Sequence, residues 1–343
     1  MTNAQAFGDD YSPEEILAKR QLRAAVRSAY DLQKLRCACG TRIVGNLKAK
    51  LGAKPGVKEE EMTDKEKMNY IKKIRVSYKR ITDGVVDNMP TPAKFEKEGM
   101  GDELITTLAE LTLINLYEIL LQSEESQFKR LKPLIAAFPI WDGFLKGVHG
   151  VGPAMAGVLI SELNISKARY PSSLWKYAGL DVAEDGQGRS RKKAHLIDIE
   201  YEDADGEMQT KKGITFNPFL KTKLTGVLSE LFIRMKSDPY SGIYYDYKNR
   251  ILNRGDEGMT KGHAHNMAKR YIIKRFLADL YVAWRGIEGL PVAPDYHEAK
   301  LGHVHGAGPV ADTPNDENIV DDGDLADANE GVEETADSTP AAG

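Results

Sequence analysis

The sequence predicts a mainly α-helical protein with a helix-hairpin-helix element, one small β-hairpin and a disordered acidic C-terminal tail. Apolar residues recur at helical spacing through most of 12–286, whereas strict two-residue alternation occurs only around 197–201. Residues 307–343 hold eleven Asp or Glu and no Lys or Arg. Periodicity therefore predicts the helices and the hairpin, and composition predicts the tail.

Composition indicates an intracellular globular protein. The chain has 343 residues, of which 41% are hydrophobic, and this length suits two domains plus tails. No apolar run is long enough to span a membrane, and no signal peptide opens the chain, so we expect no membrane partner and a cytoplasmic, nucleoid-associated location. The two cysteines, Cys37 and Cys39, have no neighbouring ligands for a zinc site.

The charge is unevenly distributed along the chain. The net charge is -4, but residues 1–306 hold 47 basic against 40 acidic residues once the tail is set aside. A basic body suits nucleic acid, and an acidic tail would compete for the same surface. The alternative is that the tail is only a solubilising end.

The N-terminal part is predicted to be entirely helical. We expect disorder over 1–11 and a helical region over 12–130. Three helices are predicted, over 12 to 30 or 36, over 64–81 and over 102–127. A Ser12–Glu15 capping box opens the first of them, and loops are predicted at 53–67 and 84–101. The first helix is rich in Lys and Arg, which predicts either a solvated face or phosphate contacts.

A glycine bend lies at the start of the second region, which we place at 131–290 and which is followed by an extended to disordered tail over 291–343. Gly150-Val151-Gly152 runs into Pro153, a residue suited to the first position of a helix. A partner helix is predicted upstream over 134–148. Exposed N–H groups at such a bend suit a phosphate. The pattern resembles a helix-hairpin-helix element, and a plain helix–helix corner is the alternative.

The rest of this region is predicted element by element. A short helix capped by Ser172 or Ser173 ends at Gly179, and a glycine-rich basic loop follows over 181–193. Next come a β-hairpin over 197–214 with an Asp205-Gly206 turn, a helix from Asn217 to Met235, an aromatic-rich segment over 240–252 and a helix from Thr260 to Trp284.

Candidate nucleic-acid-binding residues come from the bend, the basic loop and the last helix. They share a bare backbone amide, a cationic side chain or an imidazole: His149, Gly150, Val151, Gly152, Ala154, Arg189, Arg191, Lys192, Lys193, Lys261, His263, Lys269 and Arg270. The expected partner is DNA, with structured RNA as an alternative and self-association left open.

Other clusters favour ordinary structural roles. Asp198, Glu200 and Glu202 share one face of a strand and are expected to be its solvated face rather than a Mg²⁺ site. The histidines at 297, 303 and 305 lack further ligands in sequence, and the tyrosines over 240–247 are expected to be core residues. No metal site and no cofactor are predicted. Mg²⁺ is considered only in the case that the chain is an enzyme.

The order of several motifs over 145–286 resembles a known family. After Gly150-x-Gly152-Pro153 come Tyr177-Ala178-Gly179-Leu180, the basic loop, Asn217-Pro218 and Lys261-Gly262-His263. The order is similar to the C-terminal half of insertion-sequence transposases that join an N-terminal RuvC-like DEDD domain to a serine-bearing C-terminal domain. Some members of that family are RNA-guided bridge recombinases.

The chain departs from that family in two places. Residues 1–130 show no acid-bearing apolar strand, so the DEDD metal site is not found. The family's catalytic serine follows the Ala-Gly-Leu segment, and Ser190 is the nearest match here. The resemblance implies a nucleophilic role for Ser190, against the alternative of an ordinary loop serine, since an activated nucleophile needs a base.

Three functions remain open at this point. The first is a DNA-binding protein, related to these transposases, that grips the phosphate backbone through the helix-hairpin-helix. The second is an active transposase or recombinase with a serine nucleophile, and the third is a helical protein-interaction module. Whether the chain is an enzyme is therefore undecided by its sequence.

Overall fold

A computed structural model describes residues 12–50, 64–82, 90–99, 104–203, 206–254 and 259–293. Within them the chain is mainly helical with a two-stranded antiparallel sheet, which confirms the predicted fold class. The helices are α1 (Pro13–Lys50), α2 (Asp64–Arg80), α3 (Pro92–Glu98), α4 (Leu108–Ile135), α5 (Pro139–Gly143), α6 (Pro153–Glu162), α7 (Pro171–Tyr177), α8 (Pro218–Lys221), α9 (Ser229–Arg234), α10 (Tyr240–Asn253) and α11 (Lys261–Ile287).

The chain divides into two compact units. The first comprises Met1–Trp141 and Gly152–Glu162, and the second comprises Asp142–Val151 and Leu163–Gly343. One of the division points therefore falls within the glycine bend, between Val151 and Gly152.

In the first unit α1 packs against α4 and α6. Gly157 of α6 allows this approach, because a Cβ there would lie 3.0 Å from Cγ2 of Val26. The Glu162 side chain is fully buried. Its Oε1 lies 2.7 Å from Nη2 of Arg27 and 3.4 Å from Nε of Arg23. These arginines of the basic α1 face thus already have a carboxylate partner.

The core of the second unit is aromatic. Phe276 and Trp284 of α11 are buried, and the Phe276 ring packs edge-on to Phe232 and Tyr240, with centroids 5.5 and 5.6 Å away. Tyr240, Tyr244 and Tyr247 are buried as predicted, whereas Tyr245 is exposed. This core packs α11 against α9 and α10.

The β-hairpin consists of β1 (Ile197–Glu202) and β2 (Met208–Gly213), close to the predicted bounds. Its register pairs Ile197 with Gly213 and Glu202 with Met208. Asp198 forms an ion pair with Lys212, with an Oδ1–Nζ distance of 2.8 Å. Both strands are almost wholly exposed, so the hairpin is a solvated ribbon.

Several predicted bounds are wrong in the first unit. The helix predicted over 102–127 is α4, which begins after Thr107 because Thr107 and Glu110 form a capping box. The first helix continues to Lys50, and the loop predicted over 84–101 contains α3, capped by Thr91. The Ser12–Glu15 capping box is confirmed by reciprocal hydrogen bonds of 2.8 and 3.3 Å.

The partner helix predicted over 134–148 is not one helix. Its start belongs to the end of α4, and it continues as α5 and a 3₁₀ turn over Leu145–Gly147. Pro139 explains the first break, because it lacks the N–H that a continuing helix needs. The bend therefore lacks the long upstream helix of the predicted motif.

Two further elements differ from expectation. Neither Ser172 nor Ser173 caps α7, whose N-cap is Tyr170 and whose first residue is Pro171. The helix predicted from Asn217 to Met235 includes a π-helical segment, Thr222–Leu228. The predictions for residues 1–11, for Asp205, for the histidines at 297, 303 and 305 and for the acidic tail lie outside the described residues.

Candidate functional site: the Ser190 loop

Residues 181–196, which we call the Ser190 loop, begin as a miniature hairpin rather than an open loop. Val182 and Gly188 form an antiparallel bridge, and the Ala183 N–H donates to the Gln187 carbonyl at 2.7 Å. Gly186 closes the turn with a φ of 79°, a conformation that glycine adopts without steric cost. The turn places residue 185 at the tip of the hairpin.

The base of this hairpin is held by an ion pair. Arg189 donates to Oδ2 of Asp181 through Nε at 3.2 Å and Nη2 at 2.9 Å, and its backbone N–H donates to the Asp181 carbonyl. The Lys221 ammonium donates to the carbonyl of Arg189. Arg189, a predicted phosphate ligand, is thus already paired with a carboxylate and supports the loop.

Three side chains at five-residue spacing meet in this loop. Ser190 Oγ lies 2.9 Å from Nδ1 of His195, and the other ring nitrogen, Nε2, lies 2.9 Å from Oδ2 of Asp185. A short 3₁₀ turn, Lys193–His195, brings the imidazole back beneath the serine. The loop thus brings together a hydroxyl and a carboxylate on the two nitrogens of one imidazole ring.

The hydrogen bonds assign the proton of the neutral ring. The backbone N–H of Ser190 donates to Nδ1 of His195 at 3.0 Å, and a ring nitrogen accepts an N–H only when it carries no proton. The proton of the neutral imidazole therefore lies on Nε2 and is donated to Asp185. The single lone pair of Nδ1 is shared between the backbone N–H and the hydroxyl of Ser190.

The hydrogen bonds of Asp185 favour the ionised form of its carboxyl group. The hydrogen bond from His195 is the main cause that lowers the pKa of the Asp185 carboxyl, and the Gln187 N–H, 3.0 Å from Oδ1, lowers it further. The carboxyl group is accordingly ionised at neutral pH. Its side chain is 41% exposed, whereas the His195 side chain is only 1% exposed.

The serine of the trio lies among exposed cationic residues. Ser190 is half-buried, and the adjacent Arg191, Lys192 and Lys193 are exposed. The backbone N–H of Lys192 donates to Ser190 Oγ at 3.2 Å. A hydroxyl backed by a buried base and flanked by cations can act as a nucleophile toward an anionic electrophile.

A small pocket lies beside the Ser190 loop within the second unit. Its lining includes Asp181 and Gly188 of the hairpin and Arg270 and Lys274 of α11. The Arg270 guanidinium lies against Gly188, where a Cβ would come within 2.5 Å of Nη1. Arg270 is therefore the predicted binding residue of α11 that the fold brings to the Ser190 loop.

The other predicted residues of α11 lie elsewhere on that helix. Lys261 is exposed at its first turn, and the His263 N–H is capped by Thr260 at 3.1 Å. Lys269 is buried, and its ammonium lies 2.7 Å from Oε1 of Glu230, so its charge is already matched.

A second imidazole in this unit has similar partners. Nδ1 of His265 lies 2.6 Å from the Tyr244 hydroxyl, and Nε2 lies 3.5 Å from Oε1 of Glu230. The Lys248 ammonium donates to the same hydroxyl at 3.1 Å. Burial is the main cause that lowers the pKa of His265, followed by the charge of Lys269.

The part of the glycine bend in the second unit is a tight turn. Gly150 has a φ of 98°, and the Val151 N–H donates to the Val148 carbonyl at 3.0 Å. A Cβ at Gly150 would lie 3.2 Å from Phe232 and from Ser237 Oγ. His149 is exposed, but Val151 is buried and its amide is used within the turn.

The part in the first unit is the start of α6. Gly152 is exposed, and its carbonyl accepts the Ala156 N–H at 2.9 Å. A Cβ at Gly152 would meet no atom within 4 Å. The half-buried Ala154 follows at the second helical position, where the N–H has no acceptor within the helix.

In the described part of the chain, no three His, Cys, Asp or Glu side chains are grouped closely enough to hold a metal ion. The described helices also include none with the length and apolar content needed to cross a bilayer.

Comparisons add no relative to this description. No protein-family model matches the chain, and neither a curated protein nor a solved structure does so. The resemblance to insertion-sequence transposases therefore stays a prediction.

The sequence pointed to Ser190 but missed its two partners. His195 and Asp185 each lie five residues from the serine, a spacing that matches neither helical nor strand periodicity. The signal that could have found them is the turn chemistry around Gly186, which folds the segment back on itself.

Proposed function

We propose that this chain acts on the sugar-phosphate backbone of DNA, with Ser190 as the nucleophile of a strand-transfer reaction. The observation that carries the proposal is the 2.9 Å contact between Ser190 Oγ and Nδ1 of His195. A serine hydroxyl is a weak nucleophile until a neighbouring base takes its proton.

The cations around the serine favour a phosphodiester over an acyl substrate. A hydroxyl–imidazole–carboxylate line can serve either reaction. Arg191, Lys192 and Lys193 are exposed beside Ser190, and Arg270 lies against the hairpin at Gly188. Guanidinium and ammonium groups bind phosphate oxygens and stabilise charge that develops on them.

The test is a covalent protein–DNA adduct. The full chain is mixed with a panel of duplex, nicked, branched and single-stranded DNA, and denaturing gels with mass spectrometry locate any phosphoserine. We expect an adduct at residue 190 that is lost in Ser190→Ala. Ser172→Ala, which alters an exposed serine of the same unit, serves as the matched control.

Two results would contradict this proposal. One is the lack of an adduct with every DNA in the panel, and the other is an adduct that persists in Ser190→Ala. RNA of matched structure in the same panel decides whether structured RNA is a substrate or a competitor.

A second candidate function is backbone binding without chemistry. The exposed, open position of Gly152 at the start of α6 favours it, because the N–H groups of a helix N-terminus attract phosphate. Such binding would be weakly sequence-specific and steeply dependent on salt.

A mobility-shift series across salt concentrations tests this second function. Gly152→Val would cover the amides without a clash in the fold, so we expect weaker binding to duplex DNA. Gly242→Val, at another exposed glycine with no atom within 4 Å of a Cβ, is the control. Equal affinity of both variants would remove the bend from the binding surface.

A further inference from the structure

We propose that His195 is the general base for Ser190, acting through Nδ1, and that Asp185 is a positioning residue that keeps the ring proton on Nε2. The inference rests on the proposed function, since it concerns how the same serine is activated. It adds two residues that sequence reasoning did not identify.

Two donors of Ser190 converge on Nδ1 of His195: the backbone N–H at 3.0 Å and the hydroxyl at 2.9 Å. The amide proton cannot be given up, so it holds Nδ1 as an acceptor in the neutral ring. The hydroxyl proton is then the one that Nδ1 can take.

The opposite nitrogen, Nε2, lies 2.9 Å from Oδ2 of Asp185, whose other oxygen accepts the Gln187 N–H. In the serine-protease triad the serine faces Nε2 and the carboxylate faces Nδ1. Here the two nitrogens exchange roles, since Nδ1 faces Ser190 and Nε2 faces Asp185.

The surroundings of the ring suit proton transfer. The His195 side chain is 1% exposed, so bulk water does not compete for Nδ1. The charged groups of the Ser190 loop are Asp185 on Nε2, the Asp181–Arg189 pair, the exposed Glu184 and the exposed cations over 191–193. From α8, Lys221 reaches the Arg189 carbonyl. Asp185 would stabilise the imidazolium that forms.

The proposed reaction exchanges one phosphate ester bond for another. The Ser190 oxygen forms a bond to phosphorus while its proton passes to Nδ1 of His195. The bond from phosphorus to the leaving sugar oxygen breaks, and that oxygen keeps the electron pair and takes a proton from water. Rejoining reverses these moves: a sugar hydroxyl attacks the phosphoserine, and Ser190 recovers its proton from Nδ1.

A probe that needs no DNA tests the base by itself. An alkyl fluorophosphonate phosphonylates an activated serine: an O–P bond forms, the P–F bond breaks and fluoride leaves with the electron pair. The labelling rate of Ser190 in the full chain is followed by mass spectrometry across pH. His195→Asn is the key variant, because its amide oxygen can still accept the Ser190 N–H but cannot serve as a base.

We expect labelling at Ser190, a rate that falls as acid protonates the imidazole, and a rate about 100-fold lower in His195→Asn. The pH dependence should also disappear in His195→Asn, which a purely structural role for His195 would not produce. Unlabelled wild-type protein, or equal rates and pH profiles in both proteins, would overturn the inference.

The two proposals fail separately. A DNA adduct in the wild type that forms equally well in His195→Asn would remove the base and leave strand transfer in place. Efficient, His195-dependent labelling without an adduct on any DNA would keep the base and remove strand transfer.

Discussion

Two histidines of the second unit lie between a hydroxyl and a carboxylate, and they differ in what surrounds them. His195 joins Ser190 to Asp185, and His265 joins Tyr244 to Glu230. In both clusters Nδ1 faces the hydroxyl and Nε2 faces the carboxylate. The kinds of side-chain partner are therefore not what separates them.

The difference lies in which group is open to solvent. In the first cluster the ring is buried and the serine is only partly buried, whereas in the second the Tyr244 residue is only 3% exposed and the His265 side chain is 33% exposed. A buried phenol cannot reach an external electrophile. Geometry alone thus does not make a site, because the attacking atom must also be accessible.

The charged residues near the two clusters also differ. In the second cluster Lys269 is buried and matched by Glu230, so its charge serves the fold. Beside Ser190 three cationic residues in a row are exposed. We interpret the first cluster as a reactive site and the second as a structural network.

The largest contrast is expected between the two hydroxyls. Ser190→Ala should abolish fluorophosphonate labelling, and Tyr244→Phe should leave its rate unchanged, because the phenol is buried beneath its neighbours. Labelling is quantified by intact-mass spectrometry. Loss of labelling in Tyr244→Phe, with the fold retained by circular dichroism, would break the comparison.

A smaller contrast is expected between the two carboxylates. Asp185→Asn should slow labelling by about tenfold, less than His195→Asn, since the Ser190 amide still holds Nδ1 as an acceptor. Glu230→Gln should leave labelling unchanged but lower the free energy of unfolding by about 1 kcal/mol, because it weakens the partner of the buried Lys269. Urea titrations measure the free energy of unfolding. Slower labelling in Glu230→Gln but not in Asp185→Asn would refute the assignment.

The smallest effect concerns pH and stability. The pKa of His265 is lowered from 6.5 in the folded chain, so the unfolded chain binds more protons just below that value. Stability should therefore fall as pH drops through about 6.5 towards the folded-state pKa, and His265→Gln should flatten this fall. Urea midpoints at about pH 7.5 and about pH 5.5 measure it. The same slope in both proteins would argue against a burial effect at His265.

Sequence periodicity predicted the elements that bury one face. Apolar spacing and the Thr260 cap predicted α11, whereas the exposed hairpin was predicted from two-residue alternation and a turn signal. It failed where chain breaks decide the structure, as at Pro139, and where a cap outweighs apolar spacing, as at Thr107. Periodicity reports burial, and breaks and caps are set by backbone hydrogen bonding.

The candidate site was predictable only in part. Ser190 was suggested by a resemblance and by its cationic neighbours, whereas His195 and Asp185 depend on a turn with a positive φ at Gly186 and on a 3₁₀ turn. Such turns bring together residues that no regular spacing connects. Arg270 was singled out from sequence, but its place against Gly188 could be found only from the fold.

Asp185, Ser190 and His195 all belong to a single stretch of eleven residues. The proposed nucleophile and its two partners therefore come from one short segment, which Lys221 and Arg270 contact from outside it. A short insertion between Asp185 and His195 would separate the three groups, so we expect it to abolish the proposed reactivity.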